Sequence, residues 1–106
     1  MKEINATAAA AELANNPDST LLLDVREAQE LAVASIDTAL HIPMGEIPAR
    51  HMELDRDRSI ICMCHLGGRS AQVAAFLEAQ GFSDVINLAG GIDAWSLDVD
   101  TDIPRY

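Results

Sequence analysis

Short apolar runs alternate with segments of helical periodicity along the chain. Runs at 21–25, 59–63 and 85–88 are almost continuously apolar, a pattern typical of strands that are buried on both faces of a parallel sheet. A shorter run at 39–42 is followed by Pro43, which cannot donate to a neighbouring strand and so ends the run. The pattern predicts a sheet of short parallel strands.

Helical segments lie between these runs. They are 7–15, 27–33, a weakly helical 46–54, 70–80 and a last short stretch after Gly90-Gly91. The strongest is 70–80, because Val73 stands three and four residues before Phe76 and Leu77 and shares a helix face with them. Ser70 is expected to cap this helix at its N-terminus, and Gly81 to follow its C-terminus.

Alternating strands and helices predict an α/β fold, with an open, mostly parallel sheet and helices on both faces in three layers. The chain has 106 residues, and no linker, repeat or low-complexity tract divides it. We therefore expect one domain over 1–106. Ligands of such sheets bind beyond the carboxyl ends of the strands. Cys64 follows the run 59–63 and is expected at that edge.

The charge of the chain narrows its partners. A formal net charge of −10 repels phosphate backbones and anionic lipids, so neither nucleic acid nor a membrane is an expected partner. No run approaches the ~20 apolar residues of a membrane span, and no signal peptide is recognisable, which favours the cytoplasm. Cys62 and Cys64 are too close in sequence to form a disulfide framework. They are either chemically active or simply buried.

The segment between the 59–63 strand and the strongest helix suits an anion. Its backbone amides can converge on one point, at which the helix also directs its positive end. Gly67 and Gly68 are expected to adopt the positive φ angles that turn amides inward. Cys64 stands at the entrance of this segment, close to Arg69 and with His65 as a further source of positive charge. Its thiol should therefore ionise more easily than that of free cysteine.

At this point the residues resemble a known family. Cys64-His65-Leu66-Gly67-Gly68-Arg69-Ser70 resembles the C-x-x-G-x-R-S active loop of rhodanese domains. Three further segments resemble the family's motifs in the expected order: Leu23-Asp24-Val25-Arg26 with Glu27 and Glu30, Gly81-Phe82 with Val85, and Leu88-Ala89-Gly90-Gly91-Ile92 with Trp95. The segment 34–40 departs from the family, because it lacks a histidine and two glycines of G-H-I-x-G-A.

The resemblance implies a sulfurtransferase without a cofactor. The Cys64 thiolate would take a sulfane sulfur from a small anionic donor such as thiosulfate, hold it as a persulfide, and pass it to cyanide, a thiol or a protein acceptor. The expected substrate-binding residues are His65, Leu66, Gly67, Gly68, Arg69 and Ser70.

Several side chains have two interpretations. The Arg69 side chain either pairs with a carboxylate such as Asp24 or Glu27, or it contacts substrate. We expect Arg69 to bind substrate through its backbone amide. His65 either tunes activity or is an ordinary exposed histidine. Cys62 is interpreted as a core residue and not as a resolving thiol.

Two further features are expected to be structural. Asp24 and Arg26 are predicted to form an ion pair. Trp95 is interpreted as a core residue or a pocket wall.

The same residues also suit two rival functions and, in principle, a metal site. A cysteine phosphatase would use the same anion cradle, but Cys64 and Arg69 form C-x4-R, one residue shorter than the C-x5-R of tyrosine phosphatases. A non-catalytic rhodanese-like binding module often lacks the loop cysteine, which this chain keeps. A metal site would need Cys62, Cys64 and His65 with His41 or His51. Their spacing matches no recognised ligand pattern, so no metal is expected.

Overall fold

The computed structural model describes residues 1–106 and contains five strands and five α-helices. The strands are β1 (Lys2–Ile4), β2 (Thr20–Asp24), β3 (Leu40–His41), β4 (Ser59–Met63) and β5 (Val85–Leu88). The helices are α1 (Ala6–Asn15), α2 (Ala28–Val33), α3 (Ile47–Arg50), α4 (Gly68–Ala79) and α5 (Gly91–Asp98). Two short 3-10 turns, Met44–Glu46 and His51–Glu53, flank α3, so the weakly helical 46–54 is broken into three pieces.

All five strands are parallel, in the order β1-β5-β4-β2-β3, and helices pack around the sheet. The predicted α/β fold is therefore confirmed. Sequence patterning missed β1, because its lysine and glutamate leave no apolar run to recognise. This edge strand is held by backbone pairing, with Glu3 opposite Asn87 of β5. β4 lies at the centre of the sheet and carries the predicted reactive loop at its carboxyl end.

Each face of the sheet has its own hydrophobic core. Leu23 and Cys62 point to the face covered by α4, where they join a cluster that includes Val73 and Leu77. The alternate positions on β2 and β4 belong to the other cluster, together with Trp95 of α5. This alternation follows from the two-residue period of a strand. Trp95 belongs to this core and also lines a surface cavity with Ile36 and Val99, so both interpretations of this residue hold. None of the helices has the length and apolar character that a bilayer span requires.

The predicted ion pair between Asp24 and Arg26 is present and fully buried. Arg26 Nη2 lies 2.7 Å from Asp24 Oδ2, and the two side chains are 0% and 1% exposed. The guanidinium also donates to Ala34 O at 2.9 Å and to the Tyr106 hydroxyl at 3.0 Å. Burial opposes the charge of Arg26, but Asp24 and Tyr106 outweigh it and raise its pKa. Arg26 thereby anchors the segment after α2, where the sequence departs from the family pattern.

Candidate active site

The reactive loop runs from Cys64 to Gly67, between the end of β4 and the start of α4. Its outer side is fixed by α5, whose Ile92 and Asp93 amides donate to the carbonyls of Cys64 and His65 at 2.9 and 3.2 Å. A Cβ added to Gly91 would collide with these two carbonyl oxygens. Only glycine therefore allows α5 to approach the loop this closely. The loop conformation is therefore set by a helix that is distant in sequence.

Cys64 Sγ lies on the floor of this loop and accepts two hydrogen bonds. The Gly67 amide donates at 3.1 Å and the Ser70 hydroxyl at 3.3 Å, and the residue is only 1% exposed. Burial by itself would raise the pKa of the Cys64 thiol. Hydrogen bonds from the Ser70 hydroxyl and from the amides of Ser70, Gly67 and Leu66 outweigh burial and lower the pKa below its usual value.

Two local predictions about the start of α4 were wrong. The N-cap is Gly67, with φ +116°, and the helix begins at Gly68; Ser70 lies inside it, with its hydroxyl turned inward towards Cys64. Gly68 is not among the glycines with positive φ, so one glycine is enough to reverse the chain. The capping role passes to Gly67 because Ser70 is fully buried against the sulfur.

Arg69 forms a bidentate pair with Glu30 of α2, and not with Asp24 or Glu27. Its two terminal nitrogens lie 2.6 and 2.9 Å from the Glu30 carboxylate oxygens. This pair lowers the pKa of Glu30 to about 2. Because the pKa is lowered, the stabilisation is complete above the ordinary range of a glutamate and is lost only as the pH falls towards 2. At neutral pH the Arg69 charge is therefore engaged by a carboxylate.

His65 is half-buried and stacked on Tyr106, so it is not the exposed histidine that was one alternative. The ring centroids are 4.0 Å apart and the planes are 9° from parallel. Tyr106 in turn donates to Glu30 at 2.6 Å and accepts from Arg26. Sequence reasoning missed Tyr106, because nothing in the local pattern shows that the last residue of the chain packs against this loop.

Asn87 is a second residue that sequence reasoning missed. It is 1% exposed on β5 and accepts from the Ser70 hydroxyl at 2.6 Å. Its amide nitrogen donates to Glu3 at 2.9 Å and to the carbonyl of Gly67 at 3.2 Å. The available signal was an amide side chain inside an otherwise apolar strand, which marks a buried polar group that needs partners.

The pKa values of Cys62 and Cys64 are shifted in opposite directions although the two residues are buried two positions apart. Both are free and belong to the same core cluster. Burial, together with the nearby Cys64, raises the pKa of Cys62 to about 12. The interpretation of Cys62 as a core residue agrees with this burial.

The remaining predicted residues lie at the rim of the loop. Leu66 is 62% exposed, and a Cβ added to Gly68 would meet no atom within 4 Å. The protein has four surface cavities, and residues 64–70 line none of them. The cavity that comes nearest to these residues along the chain is lined by Gln72, Val73 and Phe76 of α4, together with Met44, Ile47 and Pro48.

We expect Cys64 to be alkylated at a lower pH than free cysteine, because hydrogen bonds stabilise its thiolate. The profile of iodoacetamide modification against pH should have its midpoint below about 8.5, the ordinary value for cysteine. Peptide mapping of the native protein should show modification of Cys64 and none of Cys62. A midpoint equal to that of free cysteine would contradict the role given to the loop amides and Ser70.

Comparisons with known proteins identify the family of the chain. The Rhodanese-like domain family model matches residues 6–98. A sulfurtransferase from Allochromatium vinosum is 41% identical over 91% of this chain and 89% of its own length. A putative sulfurtransferase of Bacillus subtilis, YtwF, is 42% identical over 90% of each chain. YrkF, a putative sulfur carrier protein from the same organism, is 39% identical over 77% of this chain and 44% of its own length.

A solved structure has the same fold. The crystal structure of a rhodanese-like domain protein from Staphylococcus aureus superposes with a TM-score of 0.84, at 31% identity, covering 100% of this chain and 99% of that one. The relatives named sulfurtransferase support a rhodanese-type role in sulfur transfer. The family model, the relatives and the fold agree with the loop motif, and the chain belongs to the rhodanese-like family.

Proposed function

We propose that the protein transfers a sulfane sulfur through a persulfide on Cys64. The observation that carries this proposal is the hydrogen bonding of Cys64 Sγ by the Gly67 amide and the Ser70 hydroxyl, at the carboxyl end of the central strand. Fixed donors of this kind stabilise a sulfur anion without reorganising during the reaction. The lowered pKa of Cys64 supports the same assignment.

In the first step the Cys64 thiolate attacks the outer sulfur of thiosulfate. A bond forms between Cys64 Sγ and that sulfur, the S–S bond of thiosulfate breaks, and sulfite leaves with the bonding electron pair. The products are sulfite and the Cys64 persulfide anion, so the total charge is unchanged. We expect the negative outer sulfur to be held by amides of the segment 65–70, of which those of Leu66, Gly67 and Ser70 already interact with Cys64.

In the second step a nucleophile attacks the outer sulfur and releases the Cys64 thiolate. Cyanide would leave as thiocyanate, and a thiolate would leave as a new persulfide. Cys64 is only 1% exposed, which favours an acceptor that is small or that projects a single thiolate or chain end into the loop. The relative named as a putative sulfur carrier supports a protein acceptor of this kind.

Local dipoles, not net charge, must attract the anionic donor. The chain carries a net charge of −10, and Arg69 is neutralised by Glu30. The positive potential at the loop therefore comes mainly from the backbone amides and the N-terminus of α4. This supports binding through the amide of Arg69, with its side chain holding the loop against α2. Both cysteines are free, which suits a reducing compartment such as the cytoplasm.

Intact-mass spectrometry tests the proposal directly. Incubation with thiosulfate should add the mass of one sulfur atom, located on Cys64 by peptide mapping and removed again by cyanide or glutathione. Cysteine persulfide and p-nitrophenyl phosphate should be tested as alternative substrates. Absence of the added sulfur with every donor would argue for a binding module. Phosphate ester turnover that depends on Cys64 would instead support the phosphatase alternative.

A further inference from the structure

The hydroxyl of Ser70 faces more acceptors than it can serve. Its oxygen lies 2.6 Å from Asn87 Oδ1, 3.3 Å from Cys64 Sγ and 3.3 Å from the carbonyl of Gly67. A serine hydroxyl has a single hydrogen to donate. Cys64 and Asn87 are both buried, so no direct contact with solvent replaces the bond that is not formed. The same proton is thus sought by the reactive sulfur and by a side chain of β5.

The orientation of Asn87 leaves its oxygen facing Ser70. Both hydrogens of its amide nitrogen are used, one by the carboxylate of Glu3 and one by the carbonyl of Gly67. In the flipped orientation the amide oxygen would face these two acceptors and repel them. The atom that faces Ser70 is therefore Asn87 Oδ1, which can only accept a hydrogen bond. This contact, at 2.6 Å, is the shortest of the three that the Ser70 hydroxyl makes.

We propose that Asn87 is a positioning residue that competes with Cys64 for the Ser70 proton. While Cys64 is a thiol, the Ser70 hydroxyl donates to Asn87. When the thiol loses its proton to water, the hydroxyl turns to the thiolate, because bonds to an ionised acceptor are the stronger ones. Asn87 Oδ1 is then left without its donor inside the protein, which opposes formation of the thiolate.

This inference rests on the proposed function and gives Asn87 a place in the transfer cycle. In the persulfide the negative charge moves from Cys64 Sγ to the outer sulfur, so the Ser70 hydroxyl can return to Asn87. The competition therefore destabilises the thiolate of the sulfur-free enzyme, and it ends when Cys64 carries the persulfide. It also keeps the thiolate reactive, because nucleophilicity falls as the pKa of a thiol falls.

Other charged and titratable groups surround this corner of the fold, and the test replaces none of them. They are Glu3 on β1, the paired Asp24 and Arg26, Glu30 on α2, Cys62 on β4, His65 in the loop, Arg69 on α4, Asp93 on α5 and Tyr106. Of these, Glu3 alone loses a hydrogen bond when Asn87 is replaced, and it loses that bond whether or not Ser70 is present.

The test is the pH profile of Cys64 alkylation by iodoacetamide in Asn87→Leu. Without its competitor the Ser70 hydroxyl stabilises the thiolate at no cost, so the midpoint should move down by about one pH unit, the equivalent of one hydrogen bond. Ser70→Ala should move it up. Asn87→Leu combined with Ser70→Ala should match Ser70→Ala alone, because the proposed effect of Asn87 on Cys64 passes through Ser70 and not through the bond to the carbonyl of Gly67.

Thr20→Val is the matched control. Thr20 is also a buried polar residue on a strand, but it is the first residue of β2, at the edge of the sheet away from the reactive loop. It should leave the midpoint unchanged. If Asn87→Leu does not fold, as judged by circular dichroism, Asn87→Ala removes the same oxygen and carries the same expectation. An unchanged or raised midpoint in the folded variant, or an equal shift in the Ser70→Ala background, overturns the proposal. Alkylation needs no sulfur donor, so failure of the proposed sulfur transfer would be seen separately, as absent persulfide in the wild type.

Discussion

Cys64→Ser is expected to abolish sulfur loading by thiosulfate and to lower the rate of transfer to cyanide at least about 10³-fold. Serine is close to cysteine in size, but an alcohol does not ionise near neutral pH, and neither hydrogen-bond partner of this side chain, the Gly67 amide or the Ser70 hydroxyl, is a base that could activate it. The other groups of the cradle stay in place. Intact mass and thiocyanate production measure the two steps separately, and both should be lost together.

Cys62→Ser is the matched control, because it makes the same change two residues earlier on the same side of the strand. Cys62 is buried in the same core cluster as Cys64. Burying the serine hydroxyl at this position should therefore lower the free energy of unfolding by roughly 1–3 kcal/mol. Loading of Cys64 should nevertheless proceed. Persulfide found on Cys62, or transfer that survives in Cys64→Ser, would show that the roles of the two cysteines have been assigned wrongly.

The sequence was informative wherever structure is determined locally. Three apolar runs and the helix from residue 70 predicted the order of strands and helices, and the position of Cys64 after a buried strand predicted the site. β1 was not predictable, because its three residues are held by pairing with β5 and not by their own pattern. The start of α4 was misplaced because Ser70 has the composition of an N-cap, whereas burial against Cys64 gives its hydroxyl a different use.

The partners of the loop were not predictable for a different reason. Glu30, Asn87 and Tyr106 reach the loop from three elements far apart in sequence, and each meets it through a hydrogen bond or a stacked ring. Glu30 was visible as a member of a family-like motif, but the pairing with Arg69 was not. Spacing along a chain gives the register of a helix or strand, and it does not report contacts between elements.

A series of ion pairs and hydrogen bonds connects the sheet to the start of α4, next to the reactive loop. Asp24 holds Arg26, Arg26 donates to Tyr106, and Tyr106 donates to Glu30. Glu30 then holds Arg69 at the start of α4. The first pair is fully buried, whereas the last is partly exposed to solvent. The buried pair should therefore contribute more to stability than the others, since exposed ion pairs are weakened by water and salt.

Asp24→Asn and Arg26→Met should each lower the free energy of unfolding by about 3–5 kcal/mol, because either change leaves a buried partner unpaired. For a domain of this size the melting temperature should fall by at least about 12 °C. Circular dichroism against temperature measures the loss. Arg50→Met is the control, because Arg50 pairs with Glu46 and Glu53 on the surface, and its melting temperature should change little.

The two variants of the buried pair should lose stability to a similar extent, because each leaves one buried charge without its partner. A large loss in Arg26→Met with little loss in Asp24→Asn would mean that packing of the Arg26 side chain, and not the charge of the pair, dominates its contribution.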